Sequence, residues 1–400
     1  MRVYVDNAAT TQMSECSLET MIQALKEDYG NPSSLHTTGQ LTKEKLEEAR
    51  ERIAKILGAK REEIYFTSGG SEADNQAIQT AAIQGAKKGK KHIISTKIEH
   101  HAVLHVLQSL EKQGYEVTYL DVGEKGIVDV KDVEEAIRED TALVTIMYVN
   151  NEIGTIQPIR QIGEICKEKK ILFHSDAVQA VGHIPVNVDE DNLDMLSLSA
   201  HKFHGPKGVG ALYVRKGSVR VLPLIEGGAQ EKGKRAGTEN LPAILGMVAA
   251  LEESVENMEE ESKKIIALRD RLISGLKEIP YSKLNGDQEK RVPGTVNFVF
   301  EGIEGESLLL LLDQKGIEAS SGSACTSGSL DPSHVLMSLG LPHGVCHGSL
   351  RLSLSRYNTE EEMDYIVQEV PKVVEYLRDI SPVWEDNTKN NNFFLPERSK

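Results

Sequence analysis

The feature that most constrains this 400-residue chain is a series of short apolar runs that do not alternate. Between residues 63 and 215 the runs are "EIYFTSG", "KHIIST", "EVTYLDV", "TALVTIMYVN", "ILFHSDA", "DMLSLSA" and "GALYVR". Each reads as a strand of about 4–8 residues that is apolar on both faces. Strands of that kind need cover on both sides. Helical patterns such as "VLHVLQSLEKQG" and "IRQIGEICKEKK" lie between them and supply it. The implied fold class is α/β, with a mainly parallel seven-stranded sheet wrapped by helices.

Other patterns set the expected organisation. In "LTKEKLEEARERIAKILGA", Leu41, Leu46, Ala49, Ile53, Ile56 and Leu57 fall roughly on one helical face, and Gly58 stands where a helix-ending glycine belongs. Residues 240–279 read as one long helix with a charged middle, leading out of the large domain. The strands "GTVNFVF" and "SLRLSLS" then belong to a smaller α+β domain. The expected division is 15–255 for the large domain and 1–14 with 256–382 for the small one. Residues 383–400, polar and Asn-rich, read as a tail without fixed structure.

Composition narrows the function. A net charge of −15 argues against nucleic-acid or anionic-membrane partners, which need a positive surface. No apolar run reaches the ~18 residues of a membrane span. "MRVYVDNAATT" has no signal-peptide pattern, so a cytoplasmic location is expected. The cysteines, Cys16, Cys166, Cys325 and Cys346, have no metal-ligand spacing and form no disulfide framework, so no metal site is assigned. A reducing compartment suits them. Cys16 and Cys166 fall in helical patterns and read as small, at least half-buried residues.

Several residues carry chemistry by type and position. Lys202 follows the strand "DMLSLSA" and is flanked by His201 and His204; a desolvated lysine there is suited to form a Schiff base, although a surface lysine fits the same pattern. Asp176 ends the strand "ILFHSDA", where carboxylates point into the ligand crevice of α/β folds. There it could hold a pyridinium nitrogen protonated, as pyridoxal phosphate requires, or merely cap a helix. Gln179 follows one helical turn later. Gly70 and Ser71, in "TSGGSEADN", open a helix and make an anion cradle. Ser199 and His201 are suitable phosphate donors. His100 starts a helix after "HIISTK" and could stack on a ring and move protons. Asn151 lies at a polar strand end. Arg351 heads the strand "SLRLSLS" and could bind a substrate carboxylate or form a surface pair. Cys325 sits in "SSGSACTSGS", among neighbours too small to bury it, and reads as a thiol on an exposed, mobile loop. Such thiols are generally avoided, so this one invites a use.

Together these stretches resemble the cysteine desulfurases of the NifS/IscS class, pyridoxal-phosphate enzymes of fold type I in the class-V aminotransferase family. The motifs "YGNPSSLH", "TSGGSEADN", "IEHHAV", "NNEIGTIQP", "HSDAVQAVG", "SAHKFHGPKGVGALYVR", "RAGTEN" and "SSGSACTSG" occur in the family's order, from the start to about residue 380. The resemblance implies Lys202 as the Schiff-base lysine, Asp176 at the pyridinium nitrogen, and Gln179 and Asn151 near the ring oxygen. It implies His100 stacked on the ring, and Gly70, Ser71, Ser199 and His201 on the phosphate. Thr238 would come from the neighbouring subunit of a homodimer. Arg351 and Asn151 would meet the substrate, and Cys325 would take the sulfur of L-cysteine as a persulfide, leaving alanine. An iron–sulfur scaffold of the IscU/NifU type, or another sulfur acceptor, would receive it. Ala229 in "GGAQE" and Ala236 in "RAGT" depart from the family's glycine and serine near the phosphate contact.

Alternatives differ in what they need. An aminotransferase needs no loop thiol. A selenocysteine lyase shares the residue set. A non-catalytic descendant would have lost Lys202, Asp176, His100 or Cys325, and all four are present. A Rossmann dehydrogenase would carry G-x-G-x-x-G after its first strand, which this chain lacks.

Overall fold

The seven apolar runs of the large domain all become strands of one sheet. The structure is a computed structural model that describes residues 1–321 and 332–397. In chain order its strands are β1 (Val3–Tyr4), β2 (Ile64–Thr67), β3 (His92–Thr96), β4 (Glu116–Leu120), β5 (Thr141–Thr145), β6 (Leu172–Asp176), β7 (Met195–Ser199), β8 (Gly210–Val214), β9 (Ser282–Leu284), β10 (Thr295–Phe300), β11 (Ile317–Glu318) and β12 (Ser349–Ser353). The large sheet has the order β2-β8-β7-β6-β5-β3-β4. Its members are parallel except β8, which runs antiparallel between β2 and β7. Strands β3, β5, β7 and β8 are buried along their whole length and β6 from Phe173 on, as two-sided cover requires.

Apolar cores lie on both faces of this sheet. One unites Ile53, Ile94, Val144, Phe173, Leu198 and Met247, and another unites Ile78, Ile93, Leu107 and Leu143. A further core joins Val3, Leu272, Phe298, Leu312, Leu352 and Val370 around the antiparallel sheet β12-β10-β9 and the β1–β11 pair. Among the described residues, no helix is long and apolar enough to cross a membrane.

The structure departs from the sequence reading at several points. The long helical pattern is two helices, Leu241–Glu256 and Met258–Leu276. Asn257 sits between them, its amide donating to the Glu253 carbonyl at 2.9 Å, so that the side chain competes with the helix ladder. Val335, Leu336, Leu339 and Val345 join the core of the large sheet, although they fall in the stretch assigned to the small domain. Leu41 is 54% exposed despite its place in the helical pattern, and Cys16 is exposed; Cys166 and Cys346 are buried.

The largest departure is the tail. Residues 382–390 form a helix, capped by Ser381, whose hydroxyl accepts from Trp384 N. Trp384 lies under the Arg378 guanidinium at 4.1 Å, and Phe393 stacks on Tyr281 with centroids 4.0 Å apart. The Phe394 and Leu395 N–H groups donate to the Glu301 carboxylate at 2.9 and 2.7 Å, and Leu395 is buried. The Asn-rich composition hid three apolar anchors, Trp384, Phe393 and Leu395.

Candidate active site

The C-terminal ends of the parallel strands converge on one cleft, as expected for an open α/β sheet. Gly70 and Ser71 follow β2, His100 follows β3, Asn151 follows β5, Asp176 ends β6, and Ser199, His201 and Lys202 follow β7. All of these, with Gln179 and Arg351, line a cavity of about 230 Å³. Residues scattered over the sequence therefore meet because most of them sit at the same edge of the large sheet, while Arg351 comes in from β12 of the antiparallel sheet.

Local geometry explains each position. Lys202 ends a single turn of 3-10 helix directly after β7. Its ammonium donates to the carbonyls of Ala8 and Ala9 at 2.7 and 2.8 Å, which brings the N-terminal "DNAATT" segment to the cleft. Gln179 Nε2 donates to the same Ala8 carbonyl at 3.0 Å. Asp176 is buried, and its Oδ1 accepts from Val178 N at 3.0 Å. Burial raises its pKa to about 6, against the opposing pull of the Val178 N–H and of Lys202. His100 caps the helix His101–Glu111, with Nδ1 accepting from Ala102 N at 3.1 Å. Burial first, and then the charge of Lys202, push it down to about 4, so the ring is neutral at pH 7. His201 is held down to about 4 for the same reasons, and its Nδ1 lies 3.2 Å from Thr10 Oγ1.

Arg351 is almost fully buried, with its side chain 3% exposed. Nη2 donates to Asp6 Oδ1 at 2.9 Å and Nη1 to the Asn151 carbonyl at 3.1 Å. Its Nε–H has no partner among the described residues. A buried guanidinium whose residue lines the cleft suits a ligand carboxylate.

The residues fit pyridoxal phosphate on features that do not depend on the family. The 17-residue helix Gly70–Ala86 has no side-chain cap at Gly69, so its first N–H groups are offered to an anion. A Cβ on Gly70 would come within 2.5 Å of Val178 Cγ2, so only glycine lets the backbone approach there. Ser71, Ser199 and His201 add polar donors beside that cradle. A buried carboxylate at the far side, Asp176, suits a ring N–H.

One predicted residue stands away from the cleft. Thr238 is exposed on the segment after Arg235 and does not line the cavity. Cys325 lies outside the described residues. The residues flanking that part of the chain are fixed beside the cleft. Ser320 exchanges two backbone hydrogen bonds with Arg351, at 3.2 and 2.7 Å, and the Ser333 hydroxyl donates to the buried Glu152 carboxylate.

The sequence reading missed some cleft residues. Ala8 contributes only its carbonyl, which residue type cannot announce. Asp6 pairs with Arg351 through the fold alone. Asp74 reads as an ordinary polar residue in the first turns of a helix, yet it is 1% exposed and lines the cleft. Its position one turn after Ser71 was the available signal.

Comparison with known proteins shows the family of the chain. The family model "Aminotransferase class-V" matches residues 3–366. The cysteine desulfurase IscS of Clostridium botulinum strain Hall is 56% identical over 392 residues, covering 97% of this chain and 98% of that one. The cysteine desulfurase IscS of Methanosarcina thermophila is 54% identical over 381 residues, covering 95% and 94%. Among solved structures, a NifS-like protein superposes with a TM-score of 0.88 at 42% identity, covering 94% of this chain and all of that one. The protein SspA, solved in complex with cysteine, superposes with a TM-score of 0.78 at 37% identity, covering 89% and 99%.

Proposed function

Because the chain belongs to the class-V aminotransferase family and is a cysteine desulfurase, we propose that the cleft residues divide its reaction as follows. The enzyme takes sulfur from L-cysteine, leaves L-alanine and passes the sulfur to an acceptor. Pyridoxal phosphate, its cofactor, supplies an electron sink for charge developing at the substrate Cα. Gly70, Ser71, Ser199 and His201 hold the phosphate, and Asp176 faces the ring nitrogen. Gln179 and Asn151 orient the ring oxygen and the substrate beside it.

Arg351, which lines the cleft, receives the substrate carboxylate. Lys202 takes the Cα proton and later returns a proton to the product. His100, neutral at pH 7, lies close enough to Lys202 to feel its charge and acts as the second proton carrier. Cys325 attacks the substrate sulfur as a thiolate. An S–S bond forms and the C–S bond breaks, its electron pair returning to the substrate carbon. The products are alanine and a persulfide on Cys325.

The observation that carries this reading is the convergence of Lys202, Asp176, His100 and Arg351 on a single cleft. The test is alanine and sulfide release from L-cysteine by the loaded enzyme and its variants. Cys325→Ala should still bind cysteine, seen as a change in cofactor absorbance, yet release no sulfide. Sulfide release at the parent rate from Cys325→Ala would remove that residue from the reaction.

A homodimer completes the site in this reading. Leu18, Ile22 and Leu25 form an exposed apolar stripe on the helix Glu15–Glu27, and Tyr29, Leu35 and Leu41, soon after it in sequence, are exposed too. Tyr29 is 81% and Leu35 94% exposed. A second copy would cover this face and receive Thr238 at its own phosphate cradle. The acceptor is an iron–sulfur scaffold or a comparable thiol protein. The free thiols Cys16, Cys166 and Cys346 suit a reducing cytoplasm.

A further inference from the structure

Asp176 does not stand alone at the bottom of the cleft. Asp74 lines the same cavity at 1% exposure, and its Oδ1 has no hydrogen-bond partner among the described residues. Behind them, Glu99 is also fully buried, its carboxylate taken up by Thr96 Oγ1 and Met147 N. Three buried carboxyl groups thus share the region with one lysine ammonium. Carboxylates crowded in a dry site cannot all ionise, because each charge lacks water and repels the next.

The surroundings decide which group keeps its proton. Asp176 has the charge of Lys202 and the Val178 N–H to stabilise its anion. Among the described residues no cation acts on Asp74; the groups acting on it are Asp176, Glu99 and the Ser197 hydroxyl. His174 is nearest to being a cation, with Nε2 3.6 Å from Asp74 Oδ1. That separation is too long for a hydrogen bond. The ring is instead held between two hydroxyls, Thr145 Oγ1 at 2.8 Å and Ser197 Oγ at 3.0 Å. Hydroxyls accept or donate equally well, so a fully buried His174 has no need of a second proton.

We propose that Asp74 is a positioning residue that stands in the cleft as a neutral carboxylic acid, so that Asp176 carries the one negative charge offered to the cofactor ring nitrogen. The proposal rests on the reading of Asp176 given above. Burial and the Asp176 charge hold the Asp74 pKa well above the ordinary carboxyl range, in agreement with it. Its consequence is electrostatic. An ionised Asp74 would strengthen the field on the ring and on Lys202, whereas a neutral one leaves that field to Asp176 alone.

The experiment compares the full-length loaded enzyme with Asp74→Asn and Asp74→Ala. Infrared difference spectra of parent minus Asp74→Asn at pH 7 should show the loss of a protonated-carboxyl band and no loss of carboxylate. The pH midpoint of the cofactor absorbance should move by less than about 0.3 units, since the asparagine leaves the charge unchanged. Asp74→Ala, which removes the carboxyl group from the cleft wall, should raise the cofactor dissociation constant about tenfold. Loss of a carboxylate band in Asp74→Asn, or a midpoint moved by a unit or more, would overturn the neutral assignment. Unaltered cofactor affinity in Asp74→Ala would overturn the positioning role. Should Asp74→Ala fail to fold, the infrared comparison still decides the proton. Asp176→Asn separates the two readings: if it leaves the absorbance midpoint in place, the Asp176 assignment fails, and the infrared result for Asp74 stands independently.

Discussion

Arg351 and Asp6, 345 positions apart in sequence, meet at the cleft with Nη2 of the arginine 2.9 Å from Oδ1 of the aspartate. Asp6 holds the guanidinium in place before substrate arrives. Nε–H is left over. Lysine cannot reproduce both contacts, since it presents a point charge and not a planar fork. Arg351→Lys should therefore lower kcat/KM for L-cysteine by roughly 10–100-fold, mostly through KM, given ~1.5–3 kcal/mol for a charged hydrogen bond. Steady-state alanine production over a range of cysteine concentrations measures this.

Glu99 is fully buried, and burial raises its pKa to about 8 despite the Thr96 and Met147 donors. Unfolded, a glutamate titrates near about 4.3. Between these values the folded chain binds a proton that the unfolded chain has lost. Stability from this group is thus complete below about pH 4 and is lost as pH rises toward 8. Buried His100, His174 and His201 act in the opposite sense, but only below the ordinary histidine value of about 6.5. Above it the carboxyl groups govern. The unfolding free energy should fall by about 1–2 kcal/mol from Glu99 between pH 6.5 and 8. Glu99→Gln should flatten that part of the decline in urea titrations run across this range.

Arg50 and Glu231 form a buried bidentate pair, with both N–O distances at 2.7 Å, and the same carboxylate accepts from Phe66 N at 2.9 Å. The pair fastens the 226–240 segment to the large sheet. Glu231 and Lys232 there adopt positive φ, 45° and 58°, which non-glycine residues take only at a cost. Glu231→Ala leaves a buried guanidinium unpaired and should cost about 3–5 kcal/mol. Denaturant unfolding gives the number. A loss below about 1 kcal/mol would mean that the segment relaxes to hydrate Arg50.

The tail after Ile380 should behave as part of the fold. Trp384, Phe393 and Leu395 pack against Tyr281, Arg378 and the large-sheet core. Ending the chain at residue 380 removes these contacts and leaves Glu301 without its two N–H donors. The expected loss is roughly 2–4 kcal/mol, read as a lower Tm in a thermal melt. An unchanged Tm would mean that the tail adds no net stability.

Much of this was legible in the sequence, for identifiable reasons. Continuous apolar runs announce doubly covered strands, and all seven are members of the large sheet. Lys202, Asp176 and His100 were legible because strand ends point into the crevice of such folds. Features that depend on tertiary pairing were not. Nothing local to Asp6 or Arg351 reveals their contact. Asp74 carries no mark of burial in a turn of polar residues. Asn257 breaks a helix through a side-chain bond that its charged surroundings conceal. The tail was misread because averaging over asparagines dilutes Trp384 and Leu395, whose burial depends on a seat built elsewhere.

The central claim is that sulfur leaves L-cysteine and arrives on Cys325. The most direct measurement is a single turnover. The loaded enzyme is mixed with one equivalent of L-cysteine, quenched with a thiol-blocking reagent and digested, and the Cys325 peptide is weighed by mass spectrometry. One added sulfur atom on that peptide, in step with one alanine released, is the predicted result. Alanine released without added sulfur on Cys325, or with the sulfur on Cys16 or Cys346 instead, would contradict the account.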